Sequence, residues 1–265
     1  MTVNDVTVKV IQDKLVEIEK QYNIKIIHCA ESGSRAWGFA SPDSDFDVRF
    51  IYTRPTEEYL TVHETKDFLE IPISDALDIN GWDIKKALGL LHASNPTLFE
   101  WSNSPIVYKT TTEWMKVKEI INKYFLKRHS LMHYLHMGLR NNREYLQTAE
   151  VKWKKYFYVL RPILACRYIL DHNCPPPMLF HLLVDEYLTG DIKDAVEKLL
   201  KKKMTAGEAK TGPRMTIIND YIAMSFCELD ARCSELPKDI PSDWDELDKL
   251  FREIVFPDKG IIYYN

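Results

Sequence analysis

Glu31-Ser32-Gly33-Ser34-Arg35-Ala36-Trp37-Gly38-Phe39-Ala40-Ser41-Pro42-Asp43-Ser44-Asp45-Phe46-Asp47-Val48 is the stretch on which the fold turns. It follows Ile24–Cys29, a short apolar, β-branched run that reads as a strand. Ser32-Gly33-Ser34 breaks that run. Gly33 can take a backbone conformation that other residues resist, and it lets a phosphate approach closely. Ser34 offers a hydroxyl and a backbone N–H. A short helix opening at Arg35 would aim its N-terminal N–H groups at the same place. Asp45–Tyr52 alternates charge with apolar bulk and reads as a second strand. There the i, i+2 spacing puts the Asp45 and Asp47 carboxylates on one face, with Phe46 and Val48 turned to the core. Two converging carboxylates repel unless a cation lies between them. Hard oxygen donors beside a phosphate site suit Mg²⁺, with Mn²⁺ as a substitute. Two such ions, about 3.5–4 Å apart, can activate an attacking hydroxyl and stabilise a leaving pyrophosphate.

A third carboxylate is expected to complete the set. Asp78 lies in the apolar run Ala76-Leu77-Asp78-Ile79, where an unpartnered charge is costly, and it is the expected third carboxylate. Asp75 and Asp83 are the rivals, Asp83 being better explained as the cap of a helix over Ile84–His92. Phe68–Ile73 and Ala76–Ile79 suggest further strands, and Asn80-Gly81 is a turn signal.

Outward from this centre, residues 5–21 show helical spacing of Val6, Val10, Ile11, Leu15 and Ile18. Beyond residue 110 strand signals stop and helical patterns follow, over roughly 112–124, 129–147, 151–172, 191–203, 215–235 and 243–254. Lys201–Pro213, rich in Lys, Gly and Thr, reads as a mobile loop, and the basic residues up to Arg214 could touch an acceptor strand. The fold class is therefore α+β: a catalytic module over 1–110, then a helical nucleotide- and acceptor-binding module over 111–265 packed on it.

The 265 residues are 45% hydrophobic and 28% charged, a globular balance that excludes a disordered or collagen-like chain. No apolar run approaches the ~18–20 residues of a membrane span. Met1-Thr2-Val3-Asn4-Asp5 carries no signal-peptide pattern, so a cytoplasmic location is expected. Five cysteines without Cys-x2-Cys spacing argue against a disulfide framework or a cysteine zinc site. The net charge is −4, yet Ile121–Leu170 holds ten Lys/Arg against two acids, a local +8 that leaves −12 on the remainder. Such asymmetry fits an acidic, metal-holding half beside a basic, phosphate-holding half.

Within the basic half, Trp153, Phe157, Leu160 and Leu164 form one apolar stripe, read as core. Another face carries Lys154, Tyr158 and Arg161, with Lys155 on its border, and could hold the β- and γ-phosphates of a nucleotide. Pro162 predicts a kink or break. His129, His133 and His136 share helical spacing, but no carboxylate or cysteine nearby in sequence completes a metal set, so packing or phosphate contact is the preferred reading. Trp82 and Trp101 are read as core.

The ordered set of strand, Gly-Ser, Asp-x-Asp and a third acid resembles the signature of the DNA polymerase β-like nucleotidyltransferases. More narrowly, Gly33-Ser34-Arg35-Ala36-Trp37-Gly38 with Asp43-Ser44-Asp45-Phe46-Asp47-Val48-Arg49 is similar to the predicted nucleotidyltransferases of the RNA repair pathway DNA polymerase β family. The likeness continues through Asp78–Leu88, Asn95–Trp101 and Lys154–Ala165, and so covers roughly residues 24–170. It implies a small mixed sheet flanked by helices, followed by a helical domain closing a nucleotide cleft. It further implies Mg²⁺-dependent transfer of a nucleoside monophosphate from an NTP, with ATP the expected donor, to an acceptor hydroxyl. Asp45, Asp47 and Asp78 would be the metal-holding catalytic residues. Gly33, Ser34 and Arg35 would bind phosphate, while Asn80 matches the pattern without a settled role. RNA, either tRNA or a damaged end, is the expected acceptor. A protein hydroxyl or a small molecule is the alternative, and a nucleotide-binding regulatory module without turnover is the competing reading from another class.

Overall fold

The computed structural model describes residues 5–72, 76–207 and 209–256. The elements run α1 (Asp5–Tyr22), β1 (Lys25–Glu31), α2 (Gly33–Ala36), β2 (Phe46–Thr53), β3 (Phe68–Glu70), β4 (Leu77–Asp83), α3 (Ile84–His92), α4 (Pro96–Ser102), β5 (Val107–Thr110), α5 (Thr112–Ile120), α6 (Lys127–Tyr145), β6 (Glu150–Lys152), α7 (Trp153–His172), α8 (Phe180–Tyr187), α9 (Gly190–Thr205), β7 (Thr211–Pro213), α10 (Thr216–Glu235) and α11 (Asp245–Val255). The fold class is α+β. One sheet has the order β3-β4-β2-β1-β5, and β6 pairs with β7 in a separate two-stranded ribbon. In the larger sheet β2 and β4 are parallel and the other pairs antiparallel, so it is mixed.

Alternation along β2 fills two layers. Val48, Phe50 and Tyr52 point to one face, where Ile11, Leu15 and Ile18 of α1 cover them. Ile51 points to the other, into a core built from α3, α4, α5 and α11. That second core joins Ile84 and Leu88 to Trp114, Val117, Leu247, Leu250 and Ile254, so residues on both sides of position 110 share it. A third core lies among α6, α7, α8, α9 and α10 and receives Phe39 from the loop between α2 and β2. Phe39 packs on Phe157 and Phe180 with ring centroids 5.2 and 5.5 Å apart, which ties the loop to the helical half.

Several expectations are corrected. Asn80-Gly81 is no turn: both residues lie inside β4. Gly81 stands opposite Phe50 in the β2–β4 register, and a Cβ there would come within 2.2 Å of the Phe50 ring, so the glycine makes room for an aromatic side chain rather than for a bend. Lys201–Pro213 is no loop as a whole. The lysines extend α9 to Thr205, as good helix formers do, and Thr211–Pro213 pairs with Glu150–Lys152. The helical half therefore carries a small strand pair that the absence of strand signals beyond 110 did not foresee. Pro162 does not break α7, which is one helix from Trp153 to His172 and buries the proline among core side chains. Helices α4 and α8 were not foreseen. Of the strand expected over Phe68–Ile73 the structure shows Phe68–Glu70, Ile73 lying outside the described residues. All five cysteines are free, and no helix among the described residues is long and apolar enough to cross a membrane.

Candidate active site

Asp45 and Asp47 lie at the start of β2, and Asp78 lies at the start of the adjacent β4. Asp45 is exposed and directly precedes the strand; Asp47 is its second residue. Because β2 and β4 run parallel in adjacent positions, Asp47 and Asp78 are register partners. Asp75 lies outside the described residues. Asp83 is accounted for elsewhere: it caps α3, one carboxylate oxygen accepting the Lys85 N–H at 2.8 Å and the other the Tyr59 hydroxyl at 3.1 Å.

The cation between Asp47 and Asp78 is a guanidinium. Arg49 Nη2 donates to Asp47 Oδ1 at 3.0 Å and to Asp78 Oδ2 at 2.7 Å, while its Nη1 donates to the Asp78 carbonyl at 2.8 Å. Arg49 follows Asp47 by two residues and so shares its face of the sheet. Its side chain is 14% exposed, against 29% for Asp47 and 36% for Asp78. Repulsion within the acid pair is therefore already offset in the folded chain, a role that the spacing of the acids alone had assigned to metal.

Gly33 opens α2 with φ +58°, and a Cβ there would lie 2.0 Å from Asp47 Oδ2. The glycine is required twice, once by its backbone conformation and once by the carboxylate against it. Helix α2 begins at Gly33 and not at Arg35, and Ser34 is half-buried within it. Arg35 turns away from phosphate duty toward the acid-bearing loop. Its Nε donates to the Asp45 carbonyl at 3.0 Å, its Nη2 donates to the Ser44 carbonyl at 2.5 Å, and its guanidinium stacks 3.7 Å from the centre of the Phe46 ring. Ser41 and Ser44 close the same loop on themselves: the Ser41 N–H donates to Ser44 Oγ and the Ser44 N–H to the Ser41 carbonyl.

Beneath Asp47 lies an acid that sequence reasoning missed. Glu31, fully buried at the end of β1, accepts the Asp47 N–H on Oε1 at 2.9 Å and the Tyr108 hydroxyl on Oε2 at 2.5 Å. Burial pushes its carboxyl up to about 7, outweighing the two hydrogen bonds that pull it down. Its signal was faint: an acid closing an otherwise apolar strand, followed by the Ser-Gly break.

The basic face of α7 is divided. Trp37, directly after α2, meets Tyr158 edge-on at 5.9 Å and lies 4.8 Å from the Arg161 guanidinium, so the α7 face adjoins the α2 turn. Lys155 lies over the Tyr145 and Tyr158 rings at 3.5 and 4.9 Å, and Lys154 precedes it on the helix. Arg161 is at odds with the phosphate role expected of it. It is 2% exposed and donates to Glu100 Oε1 at 2.6 Å, beside the Tyr134 hydroxyl that donates to the same oxygen at 2.7 Å. Helical spacing put Arg161 on the face of Lys154, and the packing of α4 and Trp37 closed over that end of it. His129 pairs with Asp239, and His136 is exposed. Trp82 and Trp101 stack at 3.9 Å, with Trp101 buried in the core.

Comparison with known proteins fixes the class. The model of the RNA repair pathway DNA polymerase beta family matches residues 8–253. A protein of Bacillus subtilis strain 168, YcgL, described as uncharacterised, is 42% identical over 247 residues, covering 92% of this chain and 94% of that one. A nucleotidyltransferase-like protein from Exiguobacterium sibiricum, known by crystal structure, is 12% identical with a TM-score of 0.31, over 84% of this chain and 74% of that one, a distant likeness only. The class is that of the polymerase β-like nucleotidyltransferases. Within it, the chain belongs to the RNA repair pathway DNA polymerase beta family.

Proposed function

We propose that this chain transfers a nucleoside monophosphate from an NTP, ATP foremost, to a hydroxyl of RNA (a tRNA or a broken end), releasing pyrophosphate. The observation that carries the reading is the acid pair Asp47 and Asp78, placed side by side on adjacent parallel strands, with Asp45 exposed just before β2 and Gly33 against Asp47. In the reaction the acceptor oxygen attacks the α-phosphorus in line. The P–O bond to the β-phosphate breaks, and its electron pair leaves with pyrophosphate.

The donor set suits Mg²⁺. It consists of carboxylate oxygens, and among the described residues no three ligating side chains gather into a closed site. Mg²⁺ is commonly held by one or two carboxylates and completed by substrate phosphates. Asp45 and Asp47, with Asp78, would hold it. When bound, the ion supplies charge neutralisation at the α-phosphate and at the attacking oxygen.

The protein's own groups do the rest. Asp78, half-buried and oriented by Arg49, accepts the proton of the acceptor hydroxyl on its carboxylate. Gly33 and Ser34 cradle the phosphates. Lys154, Lys155 and Tyr158 hold the departing pyrophosphate end; Arg161, buried, holds α4 against α7 instead. Most of the rate comes from positioning and charge neutralisation.

The test is a transfer assay with α-labelled NTPs and Mg²⁺. RNA, a protein extract and no acceptor are parallel conditions, and Asp45→Asn, Asp47→Asn is the control. Label on RNA that the control lacks is the expected result; label on protein moves the acceptor class. Arg49 favours one second reading. Because its one positive charge is shared between Asp47 and Asp78, repulsion within the pair is reduced without a metal, as a nucleotide-binding regulatory module would need. NTP binding that persists without Mg²⁺, with no pyrophosphate release on any acceptor, would establish that reading and overturn the first.

A further inference from the structure

Lys203 lies near the end of α9 and is 3% exposed. An ammonium removed from water is strongly disfavoured, and an apolar side chain would fill the same space without that penalty. Its surroundings show what the charge does there. Nζ donates to the Phe39 carbonyl at 2.8 Å and to Ser44 Oγ at 3.4 Å, and it lies 5.4 Å from the centre of the Phe39 ring. Those contacts span 164 and 159 residues of chain. Ser44 Oγ in turn accepts the Ser41 N–H at 3.0 Å, and the Ser44 carbonyl accepts from Arg35. The next residue is Asp45.

The contact is reinforced beyond the helix. A Cβ on Gly207 would lie 2.8 Å from Asp43 Oδ2, so the chain leaving α9 presses on the same loop. The Lys210 carbonyl then accepts the Trp153 N–H, directly before Lys154 and Lys155. One short path of contacts thus joins the loop that carries Asp45 to the start of α7.

We propose that Lys203 is a positioning residue for the nucleotidyl site: from α9 it fixes the Phe39–Asp45 loop and thereby the carboxylate of Asp45. The consequence for catalysis rests on the proposed nucleotidyl transfer; the consequence for the loop does not. Arg35 holds the loop from the sheet side, and Lys203 holds it from the helical side. Removing the ammonium loosens the loop without touching substrate.

The experiment compares wild type, Lys203→Met and Lys203→Arg as full-length chains. Hydrogen exchange is followed peptide by peptide, and transfer kinetics are measured with an NTP and RNA. In Lys203→Met, amides over residues 39–47 should exchange about tenfold faster, the effect of losing one charge-assisted bond, with α7 unchanged. The kcat should fall about tenfold while KM for the NTP holds, since the loop bears a positioned carboxylate and not the phosphate contacts. Lys203→Arg should restore both. If Lys203→Met does not fold, Lys203→Gln, which removes the charge but keeps a donor, should give the same local exchange pattern. Unchanged exchange over 39–47, or acceleration spread evenly over α7 and α10, overturns the proposal. Localised acceleration in Lys203→Met, together with a wild type that transfers nothing, sustains the clamp and refutes the transfer reading.

Discussion

Replacing Gly33 by alanine separates two demands that the structure places on one residue. Gly33 and Gly190 share φ +58°, but a Cβ at Gly190 meets nothing within 4 Å, whereas at Gly33 it would lie 2.0 Å from Asp47 Oδ2 and 2.9 Å from Asp47 Cγ. Gly190→Ala therefore reports the left-handed backbone alone, about 1 kcal/mol. Gly33→Ala adds the carboxylate, which must retreat by more than about 1 Å to reach van der Waals contact. That movement forces Asp47 off its rotamer, about 1 kcal/mol, and breaks its 3.0 Å bond to Arg49, about 1 kcal/mol at this partial exposure. The sum is about 3 kcal/mol, against about 1 for the control. For a chain of this size the two melting temperatures should then differ by about 4–8 °C. Thermal and urea unfolding of both variants give the stability arm. Mg²⁺-dependent nucleotide binding gives the functional one, which Gly33→Ala should lose and Gly190→Ala should keep. Equal melting temperatures, or wild-type binding by Gly33→Ala, would refute the reasoning.

Other perturbations test other contacts. Glu31 titrates near 7 in the fold against its ordinary 4.5, so between those values the native state keeps a proton that the unfolded chain has released. Stability falls as pH rises through that window, by at most about 3 kcal/mol, and Glu31→Gln should gain that much on wild type between pH 5 and pH 8; a constant difference in denaturant titrations would sink the assignment. Arg161→Met should lower stability by about 3–5 kcal/mol, by leaving the Glu100 charge with the Tyr134 hydroxyl but without its counter-ion, and should leave NTP affinity near wild type once the protein is folded; a selective loss of affinity in binding titrations would restore its phosphate role. Gly81→Ala should destabilise by about 2–3 kcal/mol through overpacking on Phe50, with Phe50→Leu recovering most of it; an additive double-mutant cycle would refute that contact.

Local pattern located the strands that carry Asp47 and Asp78. Alternation over Asp45–Tyr52 located β2, and the apolar frame of Asp78 located β4. What it could not reveal was register. That Asp47 faces Asp78 depends on parallel pairing across a chain crossover, and the guanidinium between them follows from the same pairing. Arg49 was visible as a residue of the motif but not as a partner. Glu31 and Lys203 were hidden for a related reason: their roles depend on burial, and an acid at a strand end or a lysine among lysines carries no local mark of it. Arg161 shows the opposite failure. Spacing placed it on the right helix face, and packing from α4, 61 residues away, decided what that face touches. Asn80-Gly81 misled because the usual turn pair served here as clearance for an aromatic ring.

The position of α11 sets an order of events on the ribosome. Leu247, Leu250 and Ile254 complete the core against which Ile51 of β2 and the helix α3 are packed. Those partners are made early and the helix that seals them is made more than 150 residues later. At about 5–20 residues per second, β2 and α3 are made roughly 8–30 seconds before α11 exists. During that interval one apolar face of the nascent sheet layer lacks part of its cover, and the helical core forms in between. Chaperones that bind exposed apolar chain therefore have a defined window of access to this protein, which closes when synthesis reaches the last helix.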